Sequence, residues 1–384
     1  MNNISSLVHI NIFNEQNIRF HRINKKKETI HIVGFGWASV GFIKNIDTEM
    51  YNVIIISNNH IFNYTPLLAQ NIKENTKKNN NLTFTIGDIN DKIEFNQNNV
   101  ETIDFNKKLI ITKEADKIPY KHLIFAHGSS VNTFNISGVN ENTLFLRTAI
   151  DSEKIKDKLL ELPNNSVIAV IGCGLTGTEI IGSLIDYNKF QIVAIDALSL
   201  PLSIFDRTLS NATIDLWRQN SVKIYLNKSV SKINPNTIEL KGKDENINFD
   251  IAIWCAGIKS SSLTETINKI LQINCNKGIP VNKYLQVENV ENVYAIGDCA
   301  YSEYPPTAQV AYQQGKYLAN QFNKRFYKQS ENKQSEFQFQ NNGQICYIGN
   351  KKSVFQNSYF KSSGNITYYL NKAIHMYYLF TIPK

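Results

Sequence analysis

Apolar residues in this chain come in short unbroken runs, and the runs repeat in one order. "IHIVGFGWAS" (30–39) reads as a buried strand, a glycine turn and the start of a helix. "YNVIIIS" (51–57) reads as a second buried strand, and "HLIFAHG" (122–128) as a third that ends in Ala and Gly. The same order returns at "SVIAVIGCGLTGTE" (166–179), "FQIVAID" (190–196) and "IAIWCAG" (251–257). From the first glycine to the end of the second strand is 23 residues in one copy and 24 in the other. That spacing matches the strand–helix–strand unit of a dinucleotide fold. The duplication predicts an α/β chain with two Rossmann-like dinucleotide-binding domains.

Between these landmarks the pattern changes. "LTFTIGD", "VETIDF" and "KLIIT", within 82–113, alternate apolar and polar residues and predict strands of a small sheet. "NIKENTKKNNN" (71–81) has nothing to bury and reads as a polar loop. "NKRFYKQSENKQSE" (323–336) reads as a polar connection into the C-terminal tail.

The glycine turns carry the first chemistry. A phosphate must approach backbone N–H groups at a helix start, and side chains would block it. Gly34 and Gly36 meet that need in the first copy, with Ser39 at the third motif position. Gly172, Gly174 and Gly177 complete the second copy. Asp196 closes the second strand of that copy, where a carboxylate can accept both ribose hydroxyls and would repel a 2′-phosphate. No Arg lies within the next ten residues, so NADH is expected over NADPH. Ser57 holds the matching position in the first copy. "VYAIGDCA" (293–300) is one more buried strand, and Asp298 at its end reads as a second contact for FAD.

"PPTAQVAYQQG" (305–315) is nearly free of charge and carries three glutamines. Prolines suit a helix's first turn, so Pro305 and Pro306 predict a helix start that leaves N–H groups open near Thr307, Ala308 and Gln309. A helix N-terminus favours a nearby negative charge by about 0.3–1 kcal/mol. Gln309 and Gln313 share one helix face, and an amide can donate a hydrogen bond to a neutral acceptor without burying an ion.

With these motifs the chain resembles the type II NADH dehydrogenases, the single-subunit NADH:quinone oxidoreductases that pump no protons. The resemblance runs from about residue 29 to 380. It rests on "GFGWAS", "YNVIIIS", "YTPLL" (64–68), "IGCGLTGTE", "VNKYLQVENVENVYAIGDCA" (281–300) and above all "PPTAQVAYQQG". It implies an FAD domain (29–150 and 259–325) interrupted by an NADH domain (151–258), after a leader or transit segment (1–28) and before a membrane-interface region (326–384). It implies FAD contacts at Gly34, Gly36, Trp37, Ser57, Thr65, Pro66, Ala126, Gly128, Asp298 and Ala308. It implies NADH contacts at Gly172, Gly174, Leu175, Thr176, Gly177, Asp196, Ala256 and Gly257. Gln309 and Gln313 are then the quinone-side residues, and Glu179 lies near the nicotinamide. Ser57 in place of an acid is tolerated in the mitochondrial-type branch.

Composition narrows the alternatives. The net charge is +8, and the residues from Lys324 onward hold nine Lys/Arg against two Glu, so the basic excess belongs to the tail. "GNITYYLNKAIHMYYLFTIPK" (364–384) sets aromatic residues among basic ones, as suits an anionic membrane surface. No apolar run reaches 18 residues, so contact is expected to be peripheral, at the mitochondrial inner membrane in a eukaryote. Arg19, Arg22 and Lys25–Lys27 face only Glu15 among the first 27 residues, which admits a transit peptide. No nucleic-acid partner is expected, and the reading admits a homodimer. The five cysteines form no CxxC, so neither a disulfide framework nor a zinc ribbon is implied, and none precedes Cys173, which leaves a flavoprotein disulfide reductase without its thiol. Cys299, beside Asp298, is the position that keeps a sulfide:quinone reductase in view. The rival readings are an NADH-dependent reductase of soluble acceptors and a non-catalytic redox sensor of the same fold.

Overall fold

A computed structural model describes residues 27–73, 82–242, 246–327 and 335–383. In chain order, the first unit begins with β1 (Glu28–Val33), α1 (Trp37–Ile43), β2 (Tyr51–Ser57), β3 (Glu94–Gln97) and β4 (His122–Phe125). The second holds β5 (Leu144–Phe145), α2 (Ala149–Glu161), β6 (Val167–Ile171), α3 (Leu175–Tyr187), β7 (Gln191–Ile195), β8 (Lys223–Tyr225) and β9 (Ile251–Trp254). β10 (Val293–Ala295) and α4 (Ala308–Tyr327) return to the first unit. The tail forms β11 (Gln344–Gly349), β12 (Lys352–Gln356), β13 (Lys361–Gly364) and α5 (Asn365–Thr381).

The duplication in the sequence is a duplication in space. One parallel sheet runs β10-β4-β1-β2-β3 and the other β5-β9-β6-β7-β8. In each, the strand before the glycine turn is central, flanked by the strand that follows the helix and by the one ending in Ala or Cys–Ala–Gly. The backbone agrees in detail: Gly34 N–H donates to Ile56 O at 2.9 Å, and Gly172 N–H to Ile195 O at 2.8 Å. Ala126 N–H donates to Val33 O, and Cys255 N–H to Ile171 O. Both central strands are buried over most of their length, which is why they read as continuous apolar runs.

The sequence and the fold differ in places. Leu144–Phe145, placed in the first unit by the sequence boundary at 150, pairs with β9 of the second sheet. "LTFTIGD" forms only a three-residue strand, Thr83–Thr85, paired with Ile61–Asn63, before turning into a short helix. Thr85 and Asp88 make a reciprocal cap there, a T-x-x-D signal that alternation hid. "VETIDF" and "KLIIT" do pair, within a three-stranded antiparallel sheet. The polar connection expected from 323 begins inside α4, which runs to Tyr327. The leader, apart from its last two residues, and most of the 71–81 loop lie outside the described residues.

The larger difference is the tail. Expected as a membrane-interface region from 326, it first builds the antiparallel sheet β11-β12-β13 against the second unit. Cys346, Ile348 and Val354 of that sheet pack with Leu202, Phe205, Leu209 and Leu216. α3 lies so near β11 that a Cβ on Gly182 would come within 2.6 Å of Gly349 N. α5 then crosses back to the first unit, where Lys44 Nζ donates to Thr381 O at 2.6 Å and Ile382 O at 2.8 Å. The tail thus ties the two units together.

Candidate functional site

Gly34 and Gly172 turn the chain out of β1 and β6 at φ +101° and +93°, a left-handed conformation that suits glycine. A side chain at Gly34 would meet His127 Cα at 2.5 Å, and one at Gly172 would meet Ala256 N at 2.7 Å. Each turn therefore rests directly on the Ala126–Gly128 or Ala256–Gly257 crossover. At the third motif position the copies diverge. A Cβ on Gly177 would collide with Gly172 O, whereas Ser39 is accommodated, buried, with its hydroxyl donating to Gly34 O at 2.7 Å.

Gly36 and Gly174 behave differently. Nothing lies within 4 Å of a Cβ built on either. Packing does not demand glycine there; an open approach to the turn does. Both are N-cap residues of helices with no side-chain cap and no acid in the first turn, so the leading N–H groups stay open to an anion.

A cavity of about 1710 Å3 gathers all the expected FAD contacts: Gly34, Gly36, Trp37, Ser57, Thr65, Pro66, Ala126, Gly128, Asp298 and Ala308. Trp37 Nε1–H donates to Thr65 Oγ1 at 3.0 Å and its ring lies 5.4 Å from that of Tyr64, which fixes the indole at the rim. Asp298 accepts from Ser129 Oγ at 3.1 Å. Burial pushes its carboxyl above the usual carboxylate range, against the pull of Ser129 and of the Arg147 guanidinium. Arg147 was not singled out in the sequence. It lines the cavity and donates to Ser129 O at 2.9 Å. Its position just before the capping box Thr148–Asp151 of α2 is the signal that marks it.

The second unit reaches the same cavity through the first turns of α3. Leu175, Thr176 and Glu179 line it, while Gly172, Gly174, Gly177, Asp196, Ala256 and Gly257 stand back around the second turn. Glu179 is not on a solvated helix face. Apolar surroundings push its carboxyl up to about 8, opposed by a hydrogen bond from the Tyr347 backbone. Asp196 accepts from Cys173 N–H at 2.5 Å and Leu198 N–H at 2.8 Å, so it braces the turn with lone pairs left for a ribose.

α4 starts at Ala308. Its N-cap is Thr307, whose hydroxyl accepts from Val310 N–H at 3.2 Å, so Pro305 and Pro306 precede the helix rather than open it. The glutamines have definite partners. Gln309 donates to Gly343 O at 3.2 Å and accepts from Asn342 N–H at 2.9 Å. Gln313 donates to Gln340 O and accepts from Gln340 N–H, both at 2.9 Å. Each amide clasps the backbone that leads into β11, and the donors expected to meet a quinone are engaged with 340–343. Gln314, which the sequence did not single out, accepts from Gly297 N–H at 2.7 Å and so holds the turn that carries Asp298.

Cys299 is buried, its thiol pushed up to about 12 by desolvation and bonded to Phe125 O and Ile296 O. It is a packed side chain and not a nucleophile. Among the described residues no cluster of metal-ligating side chains occurs.

Residues 28–315 match the pyridine nucleotide-disulphide oxidoreductase family, and the chain belongs to it. Within that family it belongs with the alternative NADH-ubiquinone oxidoreductases, the type II NADH dehydrogenases. It is 30% identical over 351 residues to an internal alternative NAD(P)H-ubiquinone oxidoreductase of Solanum tuberosum, covering 78% of this chain and 69% of that one. It is 24% identical over 438 residues to a probable mitochondrial NADH-ubiquinone oxidoreductase of Schizosaccharomyces pombe, covering 93% and 80%. In fold it is similar to NDH2 of Plasmodium falciparum in complex with NADH, with a TM-score of 0.85, 23% identity, and 92% and 95% of the two chains covered. The sulfide:quinone oxidoreductase of Aquifex aeolicus shares the fold at a TM-score of 0.76 and 17% identity.

Proposed function

We propose that this chain oxidises NADH and reduces a membrane quinone by way of FAD. The observation that carries the reading is the single cavity. It joins the first glycine turn to the start of α3 on one side and to α4 and α5 on the other. The open space beside Gly36 fits the group's pyrophosphate, with Arg147 as the nearby cation and Asp298 for its polar chain. When bound, FAD accepts a hydride and hands on two electrons. The chain's own residues bind and position. Asp196 and the second turn hold the pyridine nucleotide, and Leu175, Thr176 and Glu179 frame its reactive end. Gln309 and Gln313 hold the wall of the acceptor side by clasping 340–343, and Gln314 fixes Gly297–Asp298.

Membrane contact is assigned to α5, whose faces are inverted. Its buried face is polar: Thr367, Asn371 and His375. Its exposed face is apolar: Ile366, Tyr369, Leu370, Met376, Tyr377 and Phe380, with Ile366 and Phe380 each 87% exposed. A water-facing helix has the opposite order. No helix among the described residues is long and apolar enough to cross a membrane, so α5 lies in the interface. The relatives named mitochondrial support an inner-membrane location, with contact through α5.

The test is one titration of the purified protein. Flavin absorbance should be present, bleach with NADH, and return on adding a ubiquinone. Absence of flavin or of bleaching would overturn the reading. Reoxidation by ferricyanide but not by quinone would favour a reductase of soluble acceptors.

A further inference from the structure

Three residues lining the cavity carry a buried polar side-chain atom with no hydrogen-bond partner among the described residues: His127 Nδ1, Gln344 Oε1 and His375 Nε2. His127 lies beneath the first glycine turn, against Gly34, and Gln344 Oε1 is an acceptor. His375 belongs to α5 and shares its end of the cavity with Tyr64, Tyr312 and Tyr378.

Tyr64 is the hydrogen-bond partner of His375. Tyr64 OH lies 2.9 Å from His375 Nδ1, and both side chains are buried. A buried phenol needs an acceptor for its proton, and Nδ1 is the group it meets. If Nδ1 accepts, the neutral ring carries its own proton on Nε2. Desolvation keeps the ring neutral, pushing its pKa down to about 4. The two rings meet edge to face with centroids 5.9 Å apart, so the imidazole plane is held as well. Tyr64 in turn packs on Trp37 at the flavin side. The outcome is an oriented, desolvated N–H donor with no acceptor among the described residues.

We propose that His375 Nε2–H holds a carbonyl oxygen of the electron acceptor, with Tyr64 as the positioning residue that fixes the tautomer. This rests on the quinone reading above and names the group that recognises the quinone. A quinone is neutral and planar with a bare carbonyl oxygen at each end, and an uncharged imidazole N–H meets one without burying an ion. The glutamines on this side, Gln309 and Gln313, have their amides on the backbone of 340–343. α5 also sets His375 on the face opposite its apolar stripe, so the helix that meets the lipid also carries the donor.

Two substitutions separate the donor from its support. The amide oxygen of Asn overlays Nδ1, so His375→Asn keeps an acceptor for Tyr64 and removes the donor at Nε2. The amide nitrogen of Gln overlays Nε2, so His375→Gln restores it. In stopped flow, bleaching of bound flavin by NADH should be unchanged in both. Reoxidation by a short-chain ubiquinone should slow by about tenfold in His375→Asn, the worth of one neutral hydrogen bond, and return to within about threefold of the parent in His375→Gln. Where His375→Asn fails to retain flavin, Tyr64→Phe carries the test, because freeing Nδ1 should slow quinone reoxidation and leave NADH bleaching intact. Unchanged quinone reoxidation in His375→Asn or, in its place, in Tyr64→Phe would overturn the inference and leave the quinone reading standing. A parent protein bleached by NADH and reoxidised by no quinone would defeat the earlier reading instead.

Discussion

Gly315 of α4 lies directly on Ala38 of α1: a Cβ on Gly315 would collide with Ala38 O and come within 2.7 Å of Phe42 N. The contact is mutual, since a Cβ on Gly41 would collide with Tyr312 O. The helix of the first glycine turn and the helix that ends the cavity therefore cross backbone to backbone. Gly315→Ala should lower stability by about 1–3 kcal/mol through overpacking and weaken flavin retention with it. Gly36→Ala is the contrast, because a Cβ there meets open space. It should leave the apo protein's stability within about 0.5 kcal/mol yet impair flavin binding. Denaturant titration of the apo proteins and the flavin content of the purified ones separate the two, and a Gly36→Ala variant with full flavin would remove the phosphate role of that turn.

Gln314 and Gln309 are five residues apart and support different things. Gln314 is 1% exposed and accepts from Gly297 N–H beneath Asp298. Its loss leaves a half-buried N–H unmet and a buried side chain replaced, so Gln314→Leu should destabilise the fold by about 1 kcal/mol or more and release flavin. Gln309 bonds to the backbone of exposed Asn342 and half-buried Gly343, where water can replace it. Gln309→Leu should cost under about 1 kcal/mol, speed amide exchange at Asn342, and raise the KM for quinone with NADH bleaching unchanged. Equal thermal shifts in the two variants would show that the amides are interchangeable.

The duplicated units were legible because their signals are local. Gly34 and Gly172 turn the chain by backbone conformation, and the strands before them are buried on both faces, so a short window carries the pattern. The tail was less legible because its partners are distant. β11 packs on α3, where Gly182 meets Gly349 across 167 positions, and no window in "QICYIGNKKSVFQ" announces that contact. The glutamine helix shows the intermediate case. Its place at the cavity followed from motif and context, but the partners of its amides did not. Those are 27 to 34 residues downstream, in a segment that lacks regular structure before β11. His375 is the extreme: its only sequence signal was a basic residue among aromatics, and its meaning comes from Tyr64, 311 positions away.

Glu179 gives the stability curve a sign opposite to that of an ordinary carboxylate. Its carboxyl is pushed up to about 8 from an ordinary 4.5. Between those values the folded state holds a proton that the unfolded chain has released, so this group's contribution falls as pH rises through that window. Glu179→Gln keeps the neutral, hydrogen-bonded form at every pH. The variant should therefore gain on the parent steadily from pH 5 to pH 8 in denaturant titrations, and the two should converge towards pH 4. Parallel curves across the window would mean that Glu179 is ionised in the folded protein.

The membrane contact proposed for α5 can be separated experimentally from electron transfer. Ile366, Tyr369, Met376 and Phe380 point outward and touch neither unit's core, whereas Asn371 is tied to Ser353 Oγ and Thr367 to Ser362 Oγ. Replacing Ile366, Met376 and Phe380 together with Ser should leave the fold and the ferricyanide rate unchanged. Apolar burial in lipid is worth about 1.5–3 kcal/mol per large side chain, so three losses should abolish sedimentation with anionic vesicles at ordinary lipid concentrations. Turnover with a long-chain quinone in those vesicles should fall with binding, while turnover with a water-soluble quinone should hold, because the His375 face of α5 is untouched. Vesicle binding that survives the triple substitution would place the lipid contact elsewhere, on a surface other than the one α5 leaves bare.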